Sequence, residues 1–375
     1  QTLRGQQSCK DGIIVAMASR TELFSGVEGV RPGYEFDVEG LEQFMKAHIN
    51  GFVGPISVNQ FKGGQSNPTY RIDTGDASFT LRRKPPGKLL PTAHAVDREY
   101  KVISALQDTG VPVPKSYALC EDDAVIGTPF YIMEFVEGRV LWEPQLPGMA
   151  SGERSDIYDA MNSVIARLHG VDVEAVGLSE FGRPGSFVER QIRRWSRQYL
   201  ESGEEPIEEL NRLCEWLPEN LPDRDETTVV HGDYRIDNMI FYSHEARVVA
   251  VLDWELSTLG DPVGDFAYHV MQWRLPPHIF HGLRGVDLES LGIPSEEDYV
   301  SAYCERTGRD EIPHWDFYMA YCMFRLSAIL HGILVRVRQG TAASAHGAGM
   351  GELARPIAEL AWQQVEMIEG RGHEV

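Results

Sequence analysis

The stretch from His231 to Asp265, HGDYRIDNMIFYSHEARVVAVLDWELSTLGDPVGD, constrains what this chain can fold into more than any other. Met239–Tyr242 and Val248–Leu252 are short β-prone runs, and the polar Ser243–Arg247 between them reads as a turn, so together they form a hairpin. Such a hairpin returns Asp253, after the second run, to the neighbourhood of Asn238, before the first. Asn238 itself follows His231-Gly232-Asp233, five residues after the Asp.

This set of residue types suits phosphoryl transfer, and the Asp-to-Asn interval is that of the protein-kinase catalytic loop. A nucleotide's phosphates repel an incoming nucleophile, so a hard cation must bridge them, and a carboxylate with an amide oxygen suits magnesium. Asn238 and Asp253 supply those oxygens. Asp233, kept clear of the metal, orients the acceptor hydroxyl and takes its proton, with most of the rate coming from positioning and charge stabilisation. A His-x-Asp triplet alone, or an Asp ending an apolar strand alone, is more often a turn or cap residue. The ordered combination reverses that balance.

HGDYRIDNMIF, then VLDWE, then GDPVGDFAYH resemble, in that order, the aminoglycoside phosphotransferase-like branch of the protein-kinase-like fold, which also includes choline, homoserine and fructosamine kinases. The resemblance implies that Asp233 is the base and that His231 belongs to the same catalytic motif. It implies that Asn238 and Asp253 bind magnesium and that Asp265 braces the loop. Trp254-Glu255 stand where protein kinases have Phe-Gly, as is usual for this branch.

Upstream, Ile56–Phe61 and Thr69–Asp73 read as strands joined by Lys62–Pro68, whose glycines let backbone amides approach phosphate oxygens. A Gly-Gly hairpin turn is structural in most proteins. Here Gly64-Gln65-Ser66-Asn67-Pro68-Thr69-Tyr70 matches the phosphate loop of the resembled family, which implies nucleotide contacts from Gly63, Gly64, Ser66 and Asn67. The next strand, Ser78–Arg82, runs into a basic cluster, Arg82 to Lys88, which is either a solvated loop or part of a phosphate site. By strand alignment Arg82 takes the place of the kinase lysine that contacts the phosphates and pairs with a helix glutamate. Tyr100, Ile103 and Leu106 give the following segment helical spacing, and Glu99 is the expected partner. Phe130–Val136 reads as a strand leading to a hinge, where the resemblance implies adenine contacts from the backbone of Glu134 and Val136, and Gly138 is expected to loosen the exit.

The charge balance is 35 basic against 56 acidic residues, a net of -21, so nucleic acid and anionic membranes are repelled on average. No apolar run reads as a membrane span of about 20 residues. Five cysteines, widely spaced and without a CxxC pair, argue against a disulfide framework or a zinc site, and reduced cytoplasmic thiols are expected. Residues 1–34 read as a leader or disordered N-terminus.

From Ser151 the patterning is helical apart from the catalytic hairpins. His169 ends one helical run and reads as a satisfied interior or capping histidine. Ser186–Leu200 is a basic, aromatic helix, either a solvated face or a surface for an anionic acceptor. Pro313–Gln339 and Glu352–Glu369 are two further helices, with the Gly/Ala-rich Gly340–Gly351 as a flexible connector or lid edge.

The expected architecture is therefore α+β and two-lobed, protein-kinase-like: residues 35–135 a small β-rich nucleotide-binding lobe with one helix, and residues 136–375 a large helical lobe carrying the catalytic loop and acceptor pocket. The expected activity is ATP- and Mg²⁺-dependent phosphorylation of a small-molecule hydroxyl. LRRKPPG, TGVPVPK and VLDWELSTLGDP most resemble the branch associated with acyl-CoA dehydrogenases. That resemblance implies a hydroxy acid or hydroxyacyl-CoA acceptor and an acyl-CoA dehydrogenase partner. Other readings are an aminoglycoside or choline-type kinase, a GTP-using transferase, or a non-catalytic nucleotide-binding regulator of the dehydrogenase.

Overall fold

The computed structural model describes residues 25–63, 67–86, 95–203, 205–339 and 346–372. The first part of the chain builds an antiparallel sheet of six strands, β1 (Val27–Glu28), β2 (Ser57–Phe61), β3 (Thr69–Asp73), β4 (Ser78–Arg83), β5 (Ser116–Cys120) and β6 (Phe130–Glu134), in the order β1-β2-β3-β4-β6-β5. Side chains alternate across such a sheet, and both of its faces are covered. Phe130 and Ile132 of β6 pack with Tyr70, Ile72 and Leu81 against Leu41 and Met45 of the helix Val38–His48. Tyr131 and Met133 turn the other way, towards Val102, Ile103 and Leu106 of the helix Val96–Leu106. Each such fully buried apolar side chain stabilises the lobe by roughly 1.5–3 kcal/mol.

The same alternation separates the two arginines that end β4. Arg82 reaches Glu99 on one face. Arg83 goes to the other, donating to the Tyr34 carbonyl at 2.9 Å and lying over the rings of Phe36 and Tyr70. The expected basic cluster is thus no solvated loop: its first two members are buried on opposite sides of a sheet. Residues 87–94, which include Lys88, lie outside the described residues.

Two expectations for the small lobe need correction. Residues 25–34, expected as part of a leader, belong to the fold: β1 pairs with β2, Arg31 donates its backbone N–H to Gln60 and a guanidinium N–H to the Phe61 carbonyl, and the Tyr34 carbonyl also accepts from Tyr70. The remainder of that leader, residues 1–24, lies outside the described residues. A helix at Val38–His48 adds to the one expected, capped by Asp37, whose side chain accepts from the Gly40 N–H. Leu41 and Met45, one turn apart on its buried face, were its signal.

The large lobe is helical, as expected, with its principal helices at Ser151–His169, Phe187–Leu200, Glu208–Glu219, Pro262–Val270, Glu296–Thr307, Trp315–Arg338 and Ala354–Gly372. Trp315–Arg338 is long and apolar enough to cross a membrane by length and composition, which Arg325 in its middle concealed in the sequence; its most apolar window is 72% buried inside the protein, as a central core helix is. His346–Gly351 is a helix lying on this one, not the connector expected there, while residues 340–345 lie outside the described residues. Two small sheets sit within the lobe. β7 (Arg139–Val140), β9 (Met239–Phe241) and β10 (Val248–Val251) form one, and β8 (Thr228–Val230) with β11 (Thr258–Gly260) forms the other.

His269, buried in the Pro262–Val270 helix, donates through Nδ1 to the Tyr234 carbonyl and accepts at Nε2 from the Tyr299 hydroxyl. Burial pushes its pKa down to about 4. The unfolded chain binds a proton at this residue below about pH 6.5 while the folded chain does not, so stability is complete above that pH and falls as the pH drops towards 4. Between pH 7 and pH 4 the wild type should lose about 3 kcal/mol more than His269→Gln, read from urea unfolding at the two pH values. Equal losses in both proteins would contradict the neutral buried imidazole.

Candidate active site

The hairpin forms as its sequence requires. β9 and β10 pair antiparallel with Val251 opposite Met239, and the Leu252 N–H donates to the Asn238 carbonyl at 2.8 Å. Asp253 follows directly, in the left-handed conformation (φ 63°, ψ 58°) that aspartate tolerates better than most side chains. Gly138, expected to loosen the hinge exit, is instead a packing position, since a Cβ there would meet the Phe241 carbonyl.

The loop before β9 is held from behind by Asp265. Its two carboxylate oxygens accept the backbone N–H groups of His231 and Gly232, each at 2.8 Å, and His169 Nε2 donates to it at 3.2 Å. Burial alone would raise the Asp265 pKa, but His169, His231 and these hydrogen bonds outweigh it and hold the carboxyl below the usual range. His169, as expected, is a satisfied interior histidine, its Nδ1 taken by the Tyr303 hydroxyl at 2.7 Å. The Gly-Asp-Pro of the motif starts a helix, Asp261 capping the Gly264 N–H at 2.7 Å and Pro262 filling the first helical position. Gly232 is obligatory: its φ is +84° and a Cβ would lie 2.8 Å from the Leu256 carbonyl oxygen.

His231, expected in the catalytic set, faces inward. It is fully buried over Trp254, Nε2 donates to the Leu252 carbonyl at 2.9 Å, and Nδ1 accepts the Asp233 N–H at 3.2 Å. Both ring nitrogens are engaged in tying the loop to the hairpin. It therefore positions Asp233 and has no ring atom left for chemistry.

Asp233 is at the centre of the site. Its Oδ1 accepts from the Tyr268 hydroxyl and its Oδ2 from Asn238 Nδ2, both at 3.1 Å, with Arg235 Nε 3.4 Å from Oδ1. Burial opposes its charge, but Arg235, His231, Tyr268 and Arg325 outweigh burial, and the carboxyl lies below its ordinary range. Asp233 is therefore ionised at neutral pH, an acceptor with no proton of its own. Tyr268, Arg235 and Arg325 were not singled out from the sequence for this centre. Tyr268 had a signal, since it follows Asp265 by one helical turn. Arg325, from the distant central helix, had none.

A second centre gathers at Arg82, whose side chain is 9% exposed. Its Nε is 2.8 Å from Glu99 and its Nη2 2.5 Å from Asp253 Oδ1, while Glu255 lies 3.8 Å away. The expected pair between strand and helix is formed, and it extends to the hairpin carboxylate. Glu99 is buried, accepting from Asn67 Nδ2 at 2.7 Å and from the Tyr131 hydroxyl at 3.1 Å. Burial raises the Glu99 pKa despite Arg82. Three carboxylates thus surround one guanidinium.

Asn67, expected on the phosphate loop, is buried with its amide turned to Glu99 and, at 3.5 Å, to Glu255, so its side chain braces the cluster. Gly63 precedes this turn, and Gly64 and Ser66 lie outside the described residues. At the hinge, the Glu134 N–H donates to the Lys115 carbonyl at 2.8 Å, so that amide is not open to a base; half-buried Val136 follows two residues on. On the Phe187–Leu200 helix, Arg193 is 79% exposed and paired with Glu189, and Arg190 donates to the Arg183 carbonyl, which is largely a solvated face.

The sequence model of the phosphotransferase enzyme family matches residues 57–319, a span that takes in both centres apart from Arg325. The chain belongs to this family. Acyl-CoA dehydrogenase family member 10 of Mus musculus is 45% identical over 346 residues, 91% of this chain and 32% of that protein. Family member 11 of Homo sapiens is 38% identical over 345 residues, 90% of this chain and 44% of that protein. This family member thus spans less than half the length of those curated relatives. Among solved structures, a candidate aminoglycoside phosphotransferase from Ralstonia eutropha JMP134 is 51% identical with a TM-score of 0.83, covering 89% of this chain and 99% of that one. Aminoglycoside phosphotransferase APH(4)-Ia, as a thermostable mutant with AMP-PNP and hygromycin B, is 16% identical with a TM-score of 0.55, covering 85% of this chain and 98% of that one. That likeness shows the shared kinase-like fold.

Proposed function

We propose that this protein is a Mg²⁺- and ATP-dependent kinase that transfers the γ-phosphoryl group to a hydroxyl of a small hydroxy acid or hydroxyacyl-CoA. The observation that carries the reading is an ionised Asp233, fixed by Tyr268 and Asn238, with Asp253 brought beside Asn238 by the hairpin. Asp233 accepts the hydroxyl proton as the acceptor oxygen bonds to phosphorus and the bond to the departing ADP oxygen breaks. Tyr268 and Asn238 hold the carboxylate on course, and His231, Gly232 and Asp265 fix the backbone that presents it.

The residues present fit magnesium. Asn238 contributes a hard amide oxygen and Asp253 a carboxylate 34% exposed, and the negative charge around Arg82 exceeds what one guanidinium neutralises. Held by Asn238 and Asp253, the cation would supply positive charge against the donor phosphates. Nucleotide complexes of a distant structural neighbour, with AMP-PNP and ADP, support ATP as donor. The names of the curated relatives support an acyl-CoA dehydrogenase as a partner or attached domain, and through it the acyl acceptor.

The test is ADP release from Mg-ATP across free hydroxy acids, hydroxyacyl-CoAs, choline, homoserine and aminoglycosides. Stimulation by the first two classes is expected. Stimulation by an aminoglycoside alone would replace the acceptor, and silence with intact ATP binding would favour a regulatory nucleotide-binding module.

A further inference from the structure

Arg325 comes from the middle of the central helix Trp315–Arg338, reaching the loop that carries Asp233. It donates one N–H to the Gly232 carbonyl at 2.9 Å, and its guanidinium carbon lies 4.8 Å from the centre of the Tyr268 ring, the same tyrosine that hydrogen-bonds Asp233. Its neighbours at the site are neutralised differently. Arg82 faces Glu99 and Asp253, and Arg235 faces Asp233 and Asp237. Arg325 has no ion-pair partner among the described residues, and its Nε, like those of Arg82 and Arg235, is buried without a hydrogen bond.

A guanidinium has five donors in a planar fork that matches oxyanions. Leaving the buried Nε–H of Arg325 unused beside a reacting carboxylate is costly unless something arrives to take it. Arg83 is similarly without a carboxylate, but it donates to the Tyr34 carbonyl and is enclosed by Phe36 and Tyr70 in the small-lobe core, away from Asp233.

We propose that Arg325 is the residue that recognises an anionic oxygen group of the acceptor, so that this site selects hydroxyl compounds bearing a carboxylate or phosphate over uncharged or cationic ones. The inference rests on the kinase reading for its placement, but not for its test. An acceptor anion docked on Arg325 sets its hydroxyl near Asp233, and removing the charge raises KM for anionic acceptors more than it lowers kcat.

The test compares binding of 3-hydroxybutanoate, 3-hydroxybutanoyl-CoA and the uncharged 3-hydroxybutanamide to wild type, Arg325→Gln and Arg325→Lys, by calorimetry, with Mg-ATP affinity as the fold control. Arg325→Gln should weaken at least one anionic probe about ten-fold while sparing the amide, and Arg325→Lys should fall between. The probe affected tells a carboxylate from the phosphates of CoA. Equal weakening of all three probes, no change in any, or no wild-type preference for an anion over the amide would overturn the assignment. Turnover failing while these binding differences persist would sink the kinase reading and leave Arg325 as an anion site.

Discussion

Replacing Asp233 with Asn should lower kcat by about 10³-fold while leaving Mg-ATP affinity within about two-fold of wild type. Asparagine keeps the size of the side chain and can still meet Tyr268 and Asn238, so the loop anchored by Asp265 should hold its shape. What is lost is the proton acceptor. The low pKa of Asp233 adds that the acid limb of the wild-type rate profile should not come from an ordinary carboxylate titrating near pH 4, because Arg235 and its other partners keep it charged to lower pH. Substantial residual turnover in Asp233→Asn, or loss of nucleotide binding together with turnover, would remove Asp233 from the role of base.

Replacing Arg82 with Met should lower the free energy of unfolding by about 3–5 kcal/mol, because a buried carboxylate loses its cation. The Glu99 side chain is 1% exposed and its remaining partners, Asn67 and Tyr131, are neutral donors. Burial already pushes the Glu99 pKa up, so without Arg82 the group should take a proton instead of staying charged. Adding Glu99→Gln to Arg82→Met should therefore recover part of the stability, a coupling that urea unfolding of the two single variants and the double variant would measure. A loss below about 1 kcal/mol in Arg82→Met would show that the pair is dispensable.

What could be read in advance was whatever local spacing determines. The hairpin between Asn238 and Asp253 follows from two short apolar runs around a polar turn. Arg82 could be paired with Glu99 because a strand followed by a helix leaves few candidates. Asn67 shows the limit of such reading: the same turn sequence serves whether its amide faces a phosphate or turns inward to Glu99, and only packing decides. Arg83 was grouped with Arg82 by adjacency, although on a strand adjacency puts side chains on opposite faces. Residues 25–34 hold their place through a two-residue strand, a guanidinium bond from Arg31 to the Phe61 carbonyl and Val30 packed on the small-lobe core, which leave no hydrophobic period to find. Arg325 meets the Gly232 carbonyl across 93 positions of sequence, a contact that exists only once the helices are packed.

The most direct test of the account is ³¹P NMR of the wild-type protein incubated with Mg-ATP and whichever acceptor stimulates ADP release. A new phosphomonoester resonance should grow in step with ADP and be missing when Asp233→Asn replaces the wild type. ADP accompanied only by inorganic phosphate would contradict it, since the site would then be delivering the phosphoryl group to water.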